Sequence, residues 1–285
     1  MASIISGNES NICSIDEMKQ IASRIVSLIS TRPFKYEPKK RPVFESVTGW
    51  GERFLGYRWR DKNLAFYWSL IEDLENTLSM ACDDLIEQGD WTIDQEREVI
   101  QKVRELFEWG GVLRGKGHNP PDPKAIRAVM LTAASYSNDF KAPHDSAWTK
   151  LAALSTVRNS VKKQNPPHVI YDSRVSVSLL ESIDFVTDGH AELSSARRSL
   201  MRAGLGYVRG RGGFRHDRTQ KLHKKGWLHA YGKRKWESQF IASRLVNYIV
   251  NELQNNEVYG LMPAPTRAKD WTTRGVEMVL FMDGY

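Results

Sequence analysis

Asp172 and Arg174 are the residues whose types and placement first suggest chemistry, and they stand in the run Pro166-Pro167-His168-Val169-Ile170-Tyr171-Asp172-Ser173-Arg174. The two prolines stop any helix before them, because a residue that precedes proline is pushed out of the α region. Val169, Ile170 and Tyr171 favour an extended approach. Asp172 is a good helix N-cap, and Val175, Leu179 and Leu180 would share one face of the helix that follows. The product is a carboxylate at a helix N-terminus, where backbone N–H groups and the macrodipole stabilise negative charge. A cap alone would also explain Asp172. Arg174, close behind, is either a phosphate ligand or a solvated charge near the helix start.

The second feature is a concentration of positive charge. The chain of 285 residues carries a formal +7. From Arg197 to Lys235 its basic residues include Arg198, Arg202, Arg209, Arg211, Arg215, Arg218, Lys221, Lys224 and Lys225, with Asp217 as the lone acid. Acids gather elsewhere, between Glu72 and Glu98. Such asymmetry makes a polyanion the leading partner. The glycine-arginine loop from Gly204 to Gly213 reads equally well as a mobile surface loop and as a clamp for a DNA backbone. It follows a helix and not a strand, so it is a poor nucleotide-binding fingerprint.

The elements that must position these groups are mostly helices. Ser14-Ile15-Asp16-Glu17 is a capping box opening a helix with Met18, Ile21, Ile25 and Leu28 on its apolar stripe. Residues 1–13 read as disordered. Arg32 to Trp59 has no sustained period. Its aromatics (Phe34, Tyr36, Phe44, Trp50, Phe54, Tyr57) alternate with basic residues, so it reads as an irregular arm that packs or, less favoured, stacks on bases. Asn63 to Gln88 is a long helix, and Thr92-Ile93-Asp94-Gln95 opens another that ends at Gly110-Gly111. Asp122-Pro123 starts a further helix. Asp145-Ser146 can cap one that runs toward Lys163, and the helix after Asp172 runs to about Ile183. Helices follow at His190 to Ala203 and Gly232 to Gln254. Val276 to Met282 reads as a strand.

Four strings together resemble bacterial proteins with the 8-oxoguanine DNA glycosylase fold, of the helix-hairpin-helix superfamily. They are Phe107-Glu108-Trp109-Gly110-Gly111, Ala147-Trp148-Thr149-Lys150, Val169-Ile170-Tyr171-Asp172-Ser173-Arg174-Val175, and Gly275-Val276-Glu277-Met278-Val279-Leu280-Phe281. The resemblance runs from about Phe107 to the C-terminus. It implies a mainly α, glycosylase-like helical fold with a minor C-terminal strand, and a DNA glycosylase that flips out and excises a base. Asp172 would stabilise the oxocarbenium-like sugar and orient a water. Relatives that also cut the strand use a lysine amine. Lys150 lies in the family-like Trp-Thr-Lys but further upstream of Asp172 than expected, while Arg158 holds the better spacing and cannot be an amine nucleophile. The familiar Leu-Pro-Gly-Val-Gly hairpin is replaced by Leu154-Ser155-Thr156-Val157-Arg158. A monofunctional enzyme is therefore expected. Arg158, Arg174, Arg209, Arg211, Arg215, Lys224 and Lys225 would hold the double-stranded DNA, and Trp109, Tyr171 and Tyr207 would line the base pocket. The divergent hairpin and the aromatic-basic arm lean toward defence against phage DNA carrying glucosylated hydroxymethylcytosine. Repair of oxidised guanine and a non-catalytic DNA binder are the alternatives.

Composition limits the rest. Apolar content of 41% is that of a globular chain. No apolar run is long enough to span a membrane and no signal-peptide core opens the chain, so a cytoplasmic protein, a monomer, is expected. Cys13 and Cys82 are too few for a disulfide framework. His216 and His223 lack companions for a metal site, so neither metal nor cofactor is expected. The expected division is a helical region over 14–110 and a catalytic region over 111–285.

Overall fold

The computed structural model describes residues 13–34, 46–59, 62–111, 121–137, 141–158, 165–209, 214–232, 234–263 and 269–284. These residues form eleven α-helices and almost no strand. In order the helices are α1 (Ile15–Thr31), α2 (Trp50–Leu55), α3 (Leu64–Gln88), α4 (Ile93–Trp109), α5 (Pro123–Ser135) and α6 (Trp148–Ser155). Then come α7 (Ser173–Thr187), α8 (Ala191–Ala203), α9 (Phe214–Lys224), α10 (Arg234–Asn255) and α11 (Thr273–Asp283). A two-residue antiparallel pair, β1 (Arg58–Trp59) with β2 (Lys62–Asn63), leads into α3. No helix among the described residues is long and apolar enough to cross a membrane.

Local chemistry sets the helix starts. Ser14 and Thr92 form reciprocal capping boxes with Glu17 and Gln95, satisfying two otherwise orphaned N–H groups at each end. Asn63 caps α3, and Asp122 caps α5 with Pro123 inside its first turn. Gly89 ends α3 at φ 85°, a left-handed conformation that glycine adopts without strain.

The buried apolar residues fall into two clusters. One holds α1, α2, the first turns of α3, α7, most of α10, and α11; the other holds the rest of α3 with α4, α5 and α6. Two helices serve both. Tyr67, Trp68 and Ile71 of α3 belong to the first cluster and Leu74 to Leu85 to the second. Trp236 and Phe240 of α10 pack into the second, and Leu245 to Leu253 into the first. The extended approach to α7 threads between them, with Val169 and Tyr171 in one core and Ile170 in the other. The expected division at residue 110 is thus not where the cores divide, because α1 packs against α7 and α10.

Several local expectations need correction. Residues 276–282 form the body of α11, not a strand; Thr272 caps that helix by accepting from Gly275 N. Both faces of the run are buried, so its apolar spacing carries no period that separates helix from strand. The helix expected to reach Lys163 stops at Ser155, where Thr156 turns its hydroxyl back to Ala152 O at 2.8 Å. Beyond Arg158 it lies outside the described residues. The helix after Asp172 continues to Thr187. Within the arm, Trp50, Phe54 and Tyr57 are buried, and Trp50 and Phe54 meet Trp271 edge-on, so these three pack instead of stacking on bases. Cys13 is buried too, with Sγ facing Ala196 O, which removes it from the expected disordered end; residues 1–12 lie outside the described set.

Candidate active site

Asp172 sits at the seam of the two cores, at the end of an approach whose backbone is fixed by side chains from three helices. Val169 N donates to Ser243 Oγ at 3.1 Å, and Gln239 Nε2 donates to Val169 O at 3.0 Å. Ile170 N donates to Glu277 Oε2 at 2.6 Å, and Tyr171 N donates to Thr149 Oγ1 at 2.8 Å. So α10, α11 and α6 each hold one residue of the strand-like run. Asp172 then caps α7 as expected: its Oδ1 accepts from Arg174 N at 2.8 Å and from Val175 N at 3.1 Å. Both bonds fall on one oxygen. A carboxylate held this way has a fixed position and a second oxygen to offer.

Lys150 lies on α6, directly after the threonine that holds Tyr171. Its side chain is buried, and Nζ donates to the carbonyl and hydroxyl oxygens of Ser146. Burial pulls its amine below the usual lysine range; the charges of Asp172, Glu277 and Asp145 act in the opposite direction, and Arg174 adds to the lowering. The lysine and the capping aspartate therefore share one electrostatic site, although 22 positions separate them in the chain. A further contact shapes the amine's path: Gly110, at the end of α4, lies so close that a Cβ there would stand 2.8 Å from Lys150 Cδ and Cε. Trp109, beside it, is half-buried and meets Tyr67 edge-on.

Glu277 completes the cluster. It is buried on α11, pairs with Arg274, and is pushed above the usual carboxylate range by burial, against the opposing charge of that arginine. Arg274 in turn reaches Glu75 Oε1 on α3 at 2.8 Å. Glu277 had been legible only as part of an apolar string. A strand over that string would give the carboxylate different neighbours from those the helix gives it. Thr149 and Gly110 carried no signal of their own beyond lying in the quoted strings.

The other candidates divide sharply. Arg174 is buried with its guanidinium over the Phe281 ring at 4.6 Å, a packing position and not one that faces a duplex. Tyr171 is buried and donates to Gly206 O at 2.8 Å, so it acts as a core strut. Tyr207 is buried beneath His223 and His229. Of the three expected pocket aromatics, Trp109 alone is not fully buried. Arg158 is half-exposed and pairs with the buried Asp83 at 3.4 Å.

The basic stretch is less uncompensated than its sequence implies, because α7 delivers acids to it. Arg197 pairs with Asp184 at 2.7 Å and lies over Trp227, and Arg218 pairs with Glu181 at 2.6 Å. Lys225 Nζ stands 3.5 Å from Asp184 Oδ2. Arg198, Arg202, Arg209, Lys221 and Lys224 remain on the surface. Arg211 lies outside the described residues, as does the side chain of Arg215. No cluster of three His, Cys, Asp or Glu side chains able to hold a metal occurs among the described residues. Comparison with protein-family models, curated proteins and solved structures found no match to this chain.

Proposed function

We propose that this chain is a DNA glycosylase that excises a modified base, with Asp172 and Lys150 as its catalytic pair. The observation that carries the reading is the buried side chain of Lys150, next to the threonine that holds Tyr171 and with it the approach to a rigidly capped carboxylate; burial lowers the basicity of that amine. A neutral amine is a nucleophile and an ammonium is not. In this scheme Lys150 Nζ forms a bond to C1′ as the glycosidic C–N bond breaks; the base leaves with the bonding pair and takes up a proton. Asp172 stabilises the positive charge that develops on the sugar. The spacing of Arg158 had favoured water as nucleophile and a monofunctional enzyme; the placement of Lys150 supports the amine instead. The exposed Arg198, Arg202, Arg209, Lys221 and Lys224 are available for phosphate contacts.

Double-stranded phage DNA with glucosylated hydroxymethylcytosine remains the substrate we favour, in a cytoplasmic monomer. Support for it rests on the divergent hairpin, since Trp50, Phe54 and Tyr57 of the arm are core. The test is to incubate the protein with phage DNAs of known modification and probe for abasic sites. Asp172→Asn keeps the cap and should cost little stability, while base release falls by a factor on the order of hundreds. Tight DNA binding without base release from any substrate would favour the silent DNA binder.

A further inference from the structure

Between α9 and α10 the chain raises a row of aromatic rings to the surface. Trp227 anchors the segment: it is buried, and its Nε1 donates to Asp184 Oδ1 at 2.9 Å. Tyr207 N then donates to Leu228 O at 3.0 Å, and Ala230 N donates to Tyr207 O at 2.9 Å. This parallel bridge sets Tyr207 opposite His229, so their side chains share a face, and Tyr231, two residues on, returns to it. The rings follow that register. Tyr207 and His229 lie 5.5 Å apart at 32°, and His229 and Tyr231 stack at 5.8 Å and 29°. Tyr231 is also held by its backbone, because its carbonyl accepts from Arg234 N at 3.2 Å at the start of α10.

Exposure rises along the row. Tyr207 is 5% exposed, His229 is half-buried and Tyr231 is 70% exposed. A large ring thus stands mostly in water with its place already fixed, which lowers the ordering cost of a partner that lies against it. The charge beside the row is positive. Burial, and after it the charges of Arg209 and Lys235, hold the His229 imidazole below the ordinary histidine range, so this ring adds neutral aromatic surface at pH 7. Lys235 Nζ donates to His144 O at 2.9 Å, which leaves Arg209 as the exposed member of that pair. An open ring alone would suit a sugar, a proline or a base. Positive charge at its flank selects a ligand that alternates flat rings with negative charge, and an unpaired strand of nucleic acid is such a ligand.

We propose that Tyr231, backed by His229, is a stacking platform for the unpaired bases of single-stranded DNA, with Arg209 on an adjoining phosphate. The choice of DNA rests on the glycosylase reading above, whereas the stacking surface stands on the geometry of this loop. The two fit together, because an enzyme that extrudes a nucleotide works on a locally unpaired strand.

The test is fluorescence anisotropy of the full chain with a labelled single-stranded DNA of mixed sequence. The RNA of the same sequence, the duplex, and an abasic strand that keeps the phosphates and lacks the bases serve as contrasting probes. The single-stranded DNA should bind more tightly than the abasic strand. Tyr231→Ala, at an exposed position, should hold its melting temperature and weaken that binding about 5- to 150-fold, the loss of one stacked base. Its affinity for the duplex and the abasic strand should not change, and Tyr231→Phe should bind as the wild type does. Arg209→Gln should flatten the salt dependence by about 0.7 units of slope, the value for one phosphate of a single strand. The proposal is overturned if Tyr231→Ala binds single-stranded DNA as the wild type does, or if the abasic strand binds as tightly as the intact one. It is equally overturned if Tyr231→Phe is as weak as Tyr231→Ala, or if RNA binds in preference to DNA. Base release from modified duplexes is scored separately. Release together with wild-type binding by Tyr231→Ala refutes this surface alone; Tyr231-dependent binding without release from any substrate supports it and refutes the glycosylase reading.

Discussion

Gly110→Ala separates the position of Lys150 from the stability of the fold. Gly110 has φ −66° and ψ −7°, values that alanine adopts freely, so the substitution adds no backbone strain. What it adds is a methyl 2.8 Å from Lys150 Cδ and Cε, against an ordinary carbon–carbon contact of about 3.5–4.0 Å. The lysine stem must therefore retreat by roughly 1 Å. Because the atoms that clash are the far end of a flexible side chain, the fold absorbs the change. The gain from a less flexible unfolded chain, about 0.4–1 kcal/mol, offsets much of the loss. Stability should stay within about 1 kcal/mol of wild type. Activity should not, since a misplacement of about 1 Å at a reacting group costs on the order of 100-fold. The assay pairs urea denaturation with single-turnover base release and borohydride trapping of the protein–DNA imine. Wild-type release and trapping in a stably folded Gly110→Ala would refute both the close contact and the role given to Lys150.

Three further outcomes follow. Lys150→Gln should abolish the borohydride-trapped adduct, and in the wild type the trapping rate should reach its plateau below pH 10.4, the ordinary lysine value, because burial lowers this amine; a band that survives in Lys150→Gln assigns the nucleophile elsewhere. His168 is fully buried, with Nε2 against Ala133 O and Nδ1 against Ser243 Oγ, and burial pulls its pKa down to about 3. The fold keeps this ring neutral while the unfolded chain protonates it near pH 6.5, so its contribution is complete above that pH and is lost as pH falls below it. His168→Gln should accordingly flatten the pH slope of unfolding free energy between pH 7 and 5 by up to about 1.4 kcal/mol per unit, and an unchanged slope would exclude a buried neutral His168. Gly206→Ala puts a methyl 2.4 Å from the backbone oxygen of Leu228, where the Tyr207–His229 bridge leaves no room. Destabilisation of about 1–3 kcal/mol is expected in thermal melts, and an unaltered melting temperature would show that the bridge is looser than described.

Features that are settled within four or five residues were legible in the chain itself. The capping boxes at Ser14 and Thr92, the caps at Asp122 and Asp172, and the apolar stripe of α1 form as their sequences imply. The reason is that a cap satisfies orphan N–H groups of its own helix and needs no distant partner. Elements without a local signature were not legible. The helix α9 has only Phe214 and Leu222 among polar residues, so it shows no stripe to read. The helix α11 is buried on every side, so its apolar run fits a helix and a strand alike.

The candidate site belongs to the second group. Asp172 could be found from its cap, but its partners come from α4, α6 and α11, and no spacing rule links those helices. Tertiary packing alone brings Lys150 into the field of Asp172, presses its stem against Gly110, and sets Glu277 on the N–H of Ile170. The same packing turned Arg174 inward onto Phe281 and gave Arg197 and Arg218 acidic partners from α7. A list of charges along a chain cannot show this, because electrostatic energy depends on separation and burial in space and not on distance in sequence.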